Sequence, residues 1–119
     1  DEGNSHQAFQ TCYGPAISRI FGAMIAVHGD DSGLIFPFEV APLQIIIIPI
    51  LAKKESTKVL KYAEELKAKI SKMGYRVMID KTDRRPGEKY YFWEMKGVPI
   101  RLELGKKEAQ NNQVTIFRR

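Results

Sequence analysis

Gln44-Ile45-Ile46-Ile47-Ile48-Pro49 is the stretch on which the fold turns. Four isoleucines with no polar alternation mark a strand covered on both faces, as in a parallel or mixed sheet flanked by helices. Pro49 has no N–H and is expected to end the ladder. Downstream, residues 54–73 carry Val59, Ala63, Leu66, Ile70 and Met73 at intervals of three and four among Lys and Glu, the pattern of an amphipathic helix. Gly74 is expected as its C-cap and residues 75–79 as a second strand. Strand, helix, strand implies a right-handed crossover between parallel strands. Residues 83–87 read as a charged turn, 88–96 as a short helix, 98–104 as a strand, 106–110 as one helical turn and 113–117 as a last strand. The unit is therefore an α/β sandwich of four or five strands.

Upstream of the isoleucines, residues 34–42 hold Pro37 and Pro42 and read as an extended connector, so the domain boundary is placed there. Residues 1–33 form one unit, 34–42 a linker and 43–119 the second unit. In the first, residues 9–13 read as a short strand broken by Gly14-Pro15. A nearly all-apolar run through Ile20, Phe21, Ala23, Met24, Ile25 and Val27 follows, expected as a buried helix capped by Ser18. The polar opening 1–7 has no Met, which suggests a piece of a longer protein.

With 119 residues and 44% hydrophobic content, the chain can bury one core of ordinary size. Its net charge of +5 favours a polyanion such as RNA, but serves solubility equally well. Cys12 is the single cysteine, so no intrachain disulfide can form and a reducing compartment fits. The longest apolar stretch, residues 44–51, falls far short of the roughly 20 residues a membrane helix needs. A soluble cytoplasmic protein is expected.

Several residue groups invite chemical roles. Gly14 followed by Arg19 puts a guanidinium at the start of a helix, a place that suits phosphate, although an arginine capping a surface helix looks the same in sequence. His28, Asp30 and Asp31 lack the thiolates and further histidines of a zinc site and read as a solvated turn, so no metal is expected. Cys12 has no histidine nearby to activate it. More informative is the stretch 84–113, where Arg84, Arg85, Lys89, Lys96, Arg101, Lys106 and Lys107 intermingle with Tyr90, Tyr91, Phe92 and Trp93. Aromatic faces stack unpaired bases, cations bond phosphate or guanine acceptors, and a carboxylate accepts from guanine N1 and N2. Glu94, Arg101 and Lys107 could supply the last two functions, whereas Phe92 and Trp93 fit the core beneath the sheet as readily.

As a set, these residues resemble a known family. FQTCYGPAISRIFGAMIAVHGDDSGLIFPFEVAP is similar to motif 3 of class II aminoacyl-tRNA synthetases of the prolyl type, with Gln10-Thr11, Gly14, Arg19 and HGDDSGL as hallmarks. WEMKGVPIRLELG lies within a stretch that resembles the anticodon-binding domain of the archaeal and eukaryotic-type members. The resemblance implies a three-layer α/β/α anticodon-binding domain with a mixed sheet of about five strands, preceded by a strand-helix remnant of the catalytic domain. It implies Arg19 as the catalytic arginine on the ATP γ-phosphate, Gln10 and Thr11 lining the aminoacyl-adenylate pocket, and Gly14 making room for substrate. Glu94, Arg101 and Lys107 then contact the two guanines shared by proline anticodons. Implied partners are tRNA(Pro), proline and ATP with Mg²⁺, in a homodimeric parent. CYGPAISR departs from the shorter turn of many relatives, and motifs 1 and 2 are absent, so this chain alone is expected to be inactive. A non-catalytic RNA-binding module and a threonine enzyme are the alternatives.

Overall fold

In the computed structural model, which describes residues 3, 5, 7–14, 16–51 and 56–119, the isoleucine run becomes strand β1 (Ile45–Pro49), buried at all five positions. It pairs in parallel with β2 (Val77–Ile79) on one side and with β3 (Ile100–Leu104) on the other. Strand β4 (Thr115–Arg118) adds antiparallel to β3, which completes a mixed sheet in the order β2-β1-β3-β4.

Successive residues of a strand face opposite ways, and here each face has its own helical cover. Ile45 and Ile47, with Ile79, Leu102 and Leu104, pack against Val59 and Ala63 of helix α2 (Ser56–Lys72) and Ala109 of α4 (Lys106–Asn111). Ile46, Ile48 and Val98 pack on the other face beneath Tyr90 and Trp93 of helix α3 (Pro86–Met95). Each fully buried isoleucine contributes about 1.5–3 kcal/mol. The three α/β/α layers follow from that double burial.

The sheet has four strands among the described residues, against about five expected. Residues 9–13 adopt no strand, with Phe9 and Tyr13 almost wholly exposed. A strand holds its shape only against a neighbour that accepts its ladder, and none lies alongside among the described residues. Pro15 of the expected break, and Lys54 at the expected start of α2, lie outside the described residues.

Pro49 does not end the β1–β3 ladder: it lies opposite Leu104, and the Ile50 amide donates to the Leu104 carbonyl at 2.7 Å. Odd positions of β1 bond toward β2, as where the Asp80 amide donates to Ile47 O, and β2 pairs only as far as Ile79. The N–H that proline lacks would have faced a side where no strand pairs among the described residues, so its loss costs no ladder bond there. Met73 also departs from expectation. Helix α2 stops at Lys72, Gly74 takes φ +89°, and Met73 stands exposed in the turn between.

Helix α1 (Ile17–His28) starts one residue before Ser18, with Ala16 as N-cap and no side-chain cap, because Ser18 already lies in the first turn. None of its residues is buried, against the expectation of a buried helix. Ile17, Ile20 and Val27 are each more than two-thirds exposed. An all-round apolar helix needs cover on every side, and the described residues supply only local contacts such as Phe21 against Phe36.

Residues 34–41 run against the α/β unit. The Leu34 amide donates to Met95 O at 3.1 Å, Phe38 packs on the core, and the Arg76 side chain donates to the carbonyls of Ala41 and Glu39. The approach is close because of glycine. A Cβ on Gly97, at φ +71°, would stand 2.7 Å from Leu34 Cβ.

Candidate nucleic-acid interface

Strand β3 alternates Ile100, Leu102 and Leu104 with Arg101 and Glu103, so the two charged side chains share the face that α3 covers. Register agrees, since Arg101 lies opposite Ile46 and Glu103 opposite Ile48. Arg101 is held on three sides. Its Cζ lies 4.3 Å from the Tyr90 ring centroid and 4.2 Å from that of Phe117, while its Nε donates to Glu103 Oε1 at 2.9 Å. The Tyr90 hydroxyl donates to the other oxygen of the same carboxylate, Oε2, at 3.0 Å.

The terminal nitrogens of Arg101 form no hydrogen bond among the described residues. No side-chain nitrogen that is sealed from solvent lacks a partner there, so both reach water. A guanidinium tied through its Nε and flanked by two aromatic rings has little freedom to turn, so its outer donors keep one direction. Such an edge matches paired acceptors such as guanine O6 and N7. Burial, and then the hydrogen bond to Glu103, push the Tyr90 hydroxyl up to about 12, so it stays protonated and keeps donating.

Glu94 lies one turn beyond Tyr90 on α3 and so on the same side of the sheet as Arg101. Its side chain is 23% exposed, with Oε1 3.9 Å from Arg119 Nη1. Arg119 joins it to Asp30, donating from Nη1 to Asp30 Oδ2 at 2.8 Å and from Nη2 to Oδ1. Those hydrogen bonds hold the Asp30 carboxyl down at about 2. Lys107 is exposed in the first turn of α4, just past Gly105 at the carboxyl end of β3. Because α4 covers the opposite face, the layers do not bring Lys107 beside Glu94 and Arg101. It borders the carboxyl edge of the sheet, where ligands of open α/β sheets commonly lie, whereas Arg101 is the second residue of β3 and Glu94 precedes that strand.

Lys89 leaves the expected basic surface altogether. Only 4% exposed, it donates from Nζ to Asp80 O at 3.2 Å, with Asp80 Oδ1 at 3.7 Å. Trp93 Nε1 donates to Asp80 Oδ2 at 2.6 Å and the Thr82 hydroxyl to Oδ1 at 2.5 Å. Burial pushes the Asp80 carboxyl up, but these donors outweigh it and hold it below the usual carboxylate range. An ammonium closed inside such a network cannot reach a nucleic acid. Trp93 belongs to the core, as does Tyr90, whereas Tyr91 is 76% exposed. Phe92 lies between, edge-on to Trp93, with Arg84 Cζ 4.6 Å over its ring.

Gln10, Thr11, Gly14 and Arg19 are all exposed, and among the described residues a Cβ on Gly14 would meet only Cys12 Sγ at 3.8 Å. Their surroundings in this chain do not close around them. The His28 to Gly33 turn spends its Asp30 carboxylate on Arg119 and on the Ser32 amide. Sequence reasoning passed over Glu103, Phe117, Asp80 and Arg119. The alternation of β3 could have paired Glu103 with Arg101, but Phe117 and Arg119 meet their partners only through contacts distant in sequence, and Asp80, apart from its local bonds to Thr82, meets Lys89 and Trp93 only once α3 folds over the sheet.

Residues 44–119 match the family described as the anticodon binding domain. The chain belongs to that family. Beyond the anticodon-binding domain the similarity continues upstream: the chain is 48% identical over 118 residues to a proline-tRNA ligase of Methanosarcina mazei, covering 99% of this chain and 24% of that protein. A proline-tRNA ligase of Methanococcus aeolicus is 51% identical over 118 residues, 99% of this chain and 25% of its own length. Among solved structures, the prolyl-tRNA synthetase from Cryptosporidium parvum complexed with L-proline and AMP superposes with a TM-score of 0.82 at 40% identity, covering 86% of this chain and 22% of that one. The chain spans about a quarter of the length of the curated relatives it matches.

Proposed function

We propose that the chain is part of a proline-tRNA ligase that activates proline with ATP and transfers it to tRNA(Pro), and that this part reads the anticodon. The observation that carries the assignment is a likeness to proline-tRNA ligases through 99% of the chain, on both sides of residues 34–42. In this assignment residues 1–33 end the catalytic core, 34–42 connect, and 43–119 bind the anticodon. Gln10, Thr11, Gly14 and Arg19 serve ATP and the prolyl-adenylate, with Mg²⁺ entering alongside ATP as substrate. The rest of the parent encloses those four residues and covers the apolar surface of α1. The parent acts as a cytoplasmic homodimer.

At the anticodon, Arg101 offers its two outer nitrogens to guanine acceptors, Glu94 accepts from guanine N1 and N2, and Lys107 approaches from the carboxyl edge of the sheet. The test has two arms. In the full-length protein, ATP-pyrophosphate exchange should depend on proline, and dependence on another amino acid rejects the assignment. In the chain itself, Arg101→Ala should weaken binding to a proline anticodon stem-loop by about 1–3 kcal/mol and affect a loop lacking the two guanines much less. Equal losses on both RNAs would mean that Arg101 touches only the backbone.

A further inference from the structure

We propose that Glu103, with Tyr90 and Phe117, is the positioning device that makes Arg101 selective for a guanine acceptor pair rather than for negative charge in general. The inference rests on the anticodon assignment above and names residues which that assignment leaves without a role.

An unconstrained arginine on a surface is a poor reader of bases. Its long side chain samples many rotamers, and any phosphate nearby satisfies the charge. Arg101 has neither freedom. The Tyr90 and Phe117 ring centroids lie 4.3 and 4.2 Å from its Cζ, which hems the guanidinium in between a ring on α3 and a ring on β4. Glu103 Oε1 occupies one edge, the Nε side, at 2.9 Å. The free edge is then the pair of terminal nitrogens, the fork that fits guanine O6 and N7.

Glu103 is itself held. Its second oxygen accepts from the Tyr90 hydroxyl at 3.0 Å, so the carboxylate cannot swing away with the arginine. Its side chain is 20% exposed and that of Arg101 12%, shielded enough for the pairing to persist and open enough for the outer nitrogens to meet a base. The carboxylate also cancels the charge of Arg101 locally, which lowers its attraction to phosphate while leaving its directional donors in place. Glu103 touches no base in this scheme and acts through Arg101.

The experiment uses the full chain and two stem-loop RNAs. One carries the two guanines of a proline anticodon; in the other each is replaced by deazaguanine, whose N7 acceptor has become a C–H. The readout is the ratio of the two dissociation constants, which a general loss of affinity or stability leaves unchanged. For the unaltered chain the ratio should be about tenfold. Glu103→Leu, which removes both acceptors, should bring it below about threefold, whereas Glu103→Gln, which keeps an oxygen for the Arg101 Nε, should preserve most of it. Arg101→Ala should bring it to about one.

If Arg101→Ala abolishes the ratio but Glu103→Leu leaves it whole, the positioning role is overturned and the anticodon assignment stands. If Arg101→Ala leaves the ratio whole, the assignment of Arg101 to guanine falls first. Should Glu103→Leu fail to fold, Phe117→Leu on the exposed strand β4 decides, because it removes one wall of the clamp. A lowered ratio there supports the proposal, and an unchanged ratio overturns it.

Discussion

Replacing Asp80 by Ala should cost the fold about 3–5 kcal/mol, the range found when one partner of a buried ion pair is removed. Asp80 is 3% exposed at the end of β2 and gathers the Lys89 ammonium, the Trp93 indole, the Thr82 hydroxyl and the Thr82 amide. Without the carboxylate, Lys89 would keep, among the described residues, only the main-chain carbonyl of position 80, now at 3.2 Å, as a partner for its buried ammonium. Trp93 would lose its acceptor as well, at about 1–3 kcal/mol for an unpaired donor, although water entering the gap makes the two losses overlap. Asp80→Asn retains one oxygen and should cost less, about 1–3 kcal/mol. With total stabilities of about 5–15 kcal/mol for ordinary domains, the alanine variant would sit near unfolding. Urea denaturation followed by circular dichroism measures both differences. The double variant Asp80→Asn with Lys89→Met should lose less than the two single losses added, since neither charge is then stranded. A cost below about 1 kcal/mol for Asp80→Ala would refute the view that this network locks α3 to the sheet.

Gly97→Ala places a Cβ against Leu34 at a left-handed φ of +71° and should destabilise by about 1–3 kcal/mol, with faster hydrogen exchange at the Leu34 and Phe36 amides. Unchanged exchange there would mean that the 34–36 segment is held by other contacts. The tie between Asp30 and Arg119 should be fully present above the ordinary carboxylate value of 3.8 and fade as pH falls toward about 2, because the folded-state pKa is lowered. Titration of the Asp30 carboxyl by NMR checks the window, and an unshifted midpoint removes the tie. Tyr90, pushed from 10.0 to about 12, contributes stability below pH 10 that is lost as pH rises through 12, since its folded-state pKa is raised. Tyr90→Phe should therefore delete the latest component of the tyrosinate absorbance curve, and a curve that keeps it locates that component elsewhere.

Local pattern made much of the architecture legible in advance. The isoleucine run announced a doubly covered strand, the period of α2 gave its buried face, and Gly74 gave its end, because each signal lies within a few residues and reports an environment those residues need. Failures occurred where a partner decides. Residues 9–13 have strand-like composition but no neighbour among the described residues, and α1 has an apolar surface that those residues leave uncovered. Pro49 continues the ladder because the side of β1 that lacks its N–H is a side β2 does not reach, a fact of register rather than of residue type.

Charge was the least readable property. In sequence Lys89 and Arg101 are both cations of the one basic and aromatic stretch 84–113, yet Lys89 is buried against Asp80 while Arg101 turns its outer nitrogens to solvent. Their partners come from elsewhere in the fold: Asp80 closes on Lys89 from the end of β2, and Phe117 covers Arg101 from β4. The amino-acid sequence by itself settled which segments must be buried, since hydrophobic period is a local property of the chain. Only the tertiary structure decided which charges are spent inside and which remain to bind, since that depends on which groups the sheet order brings together.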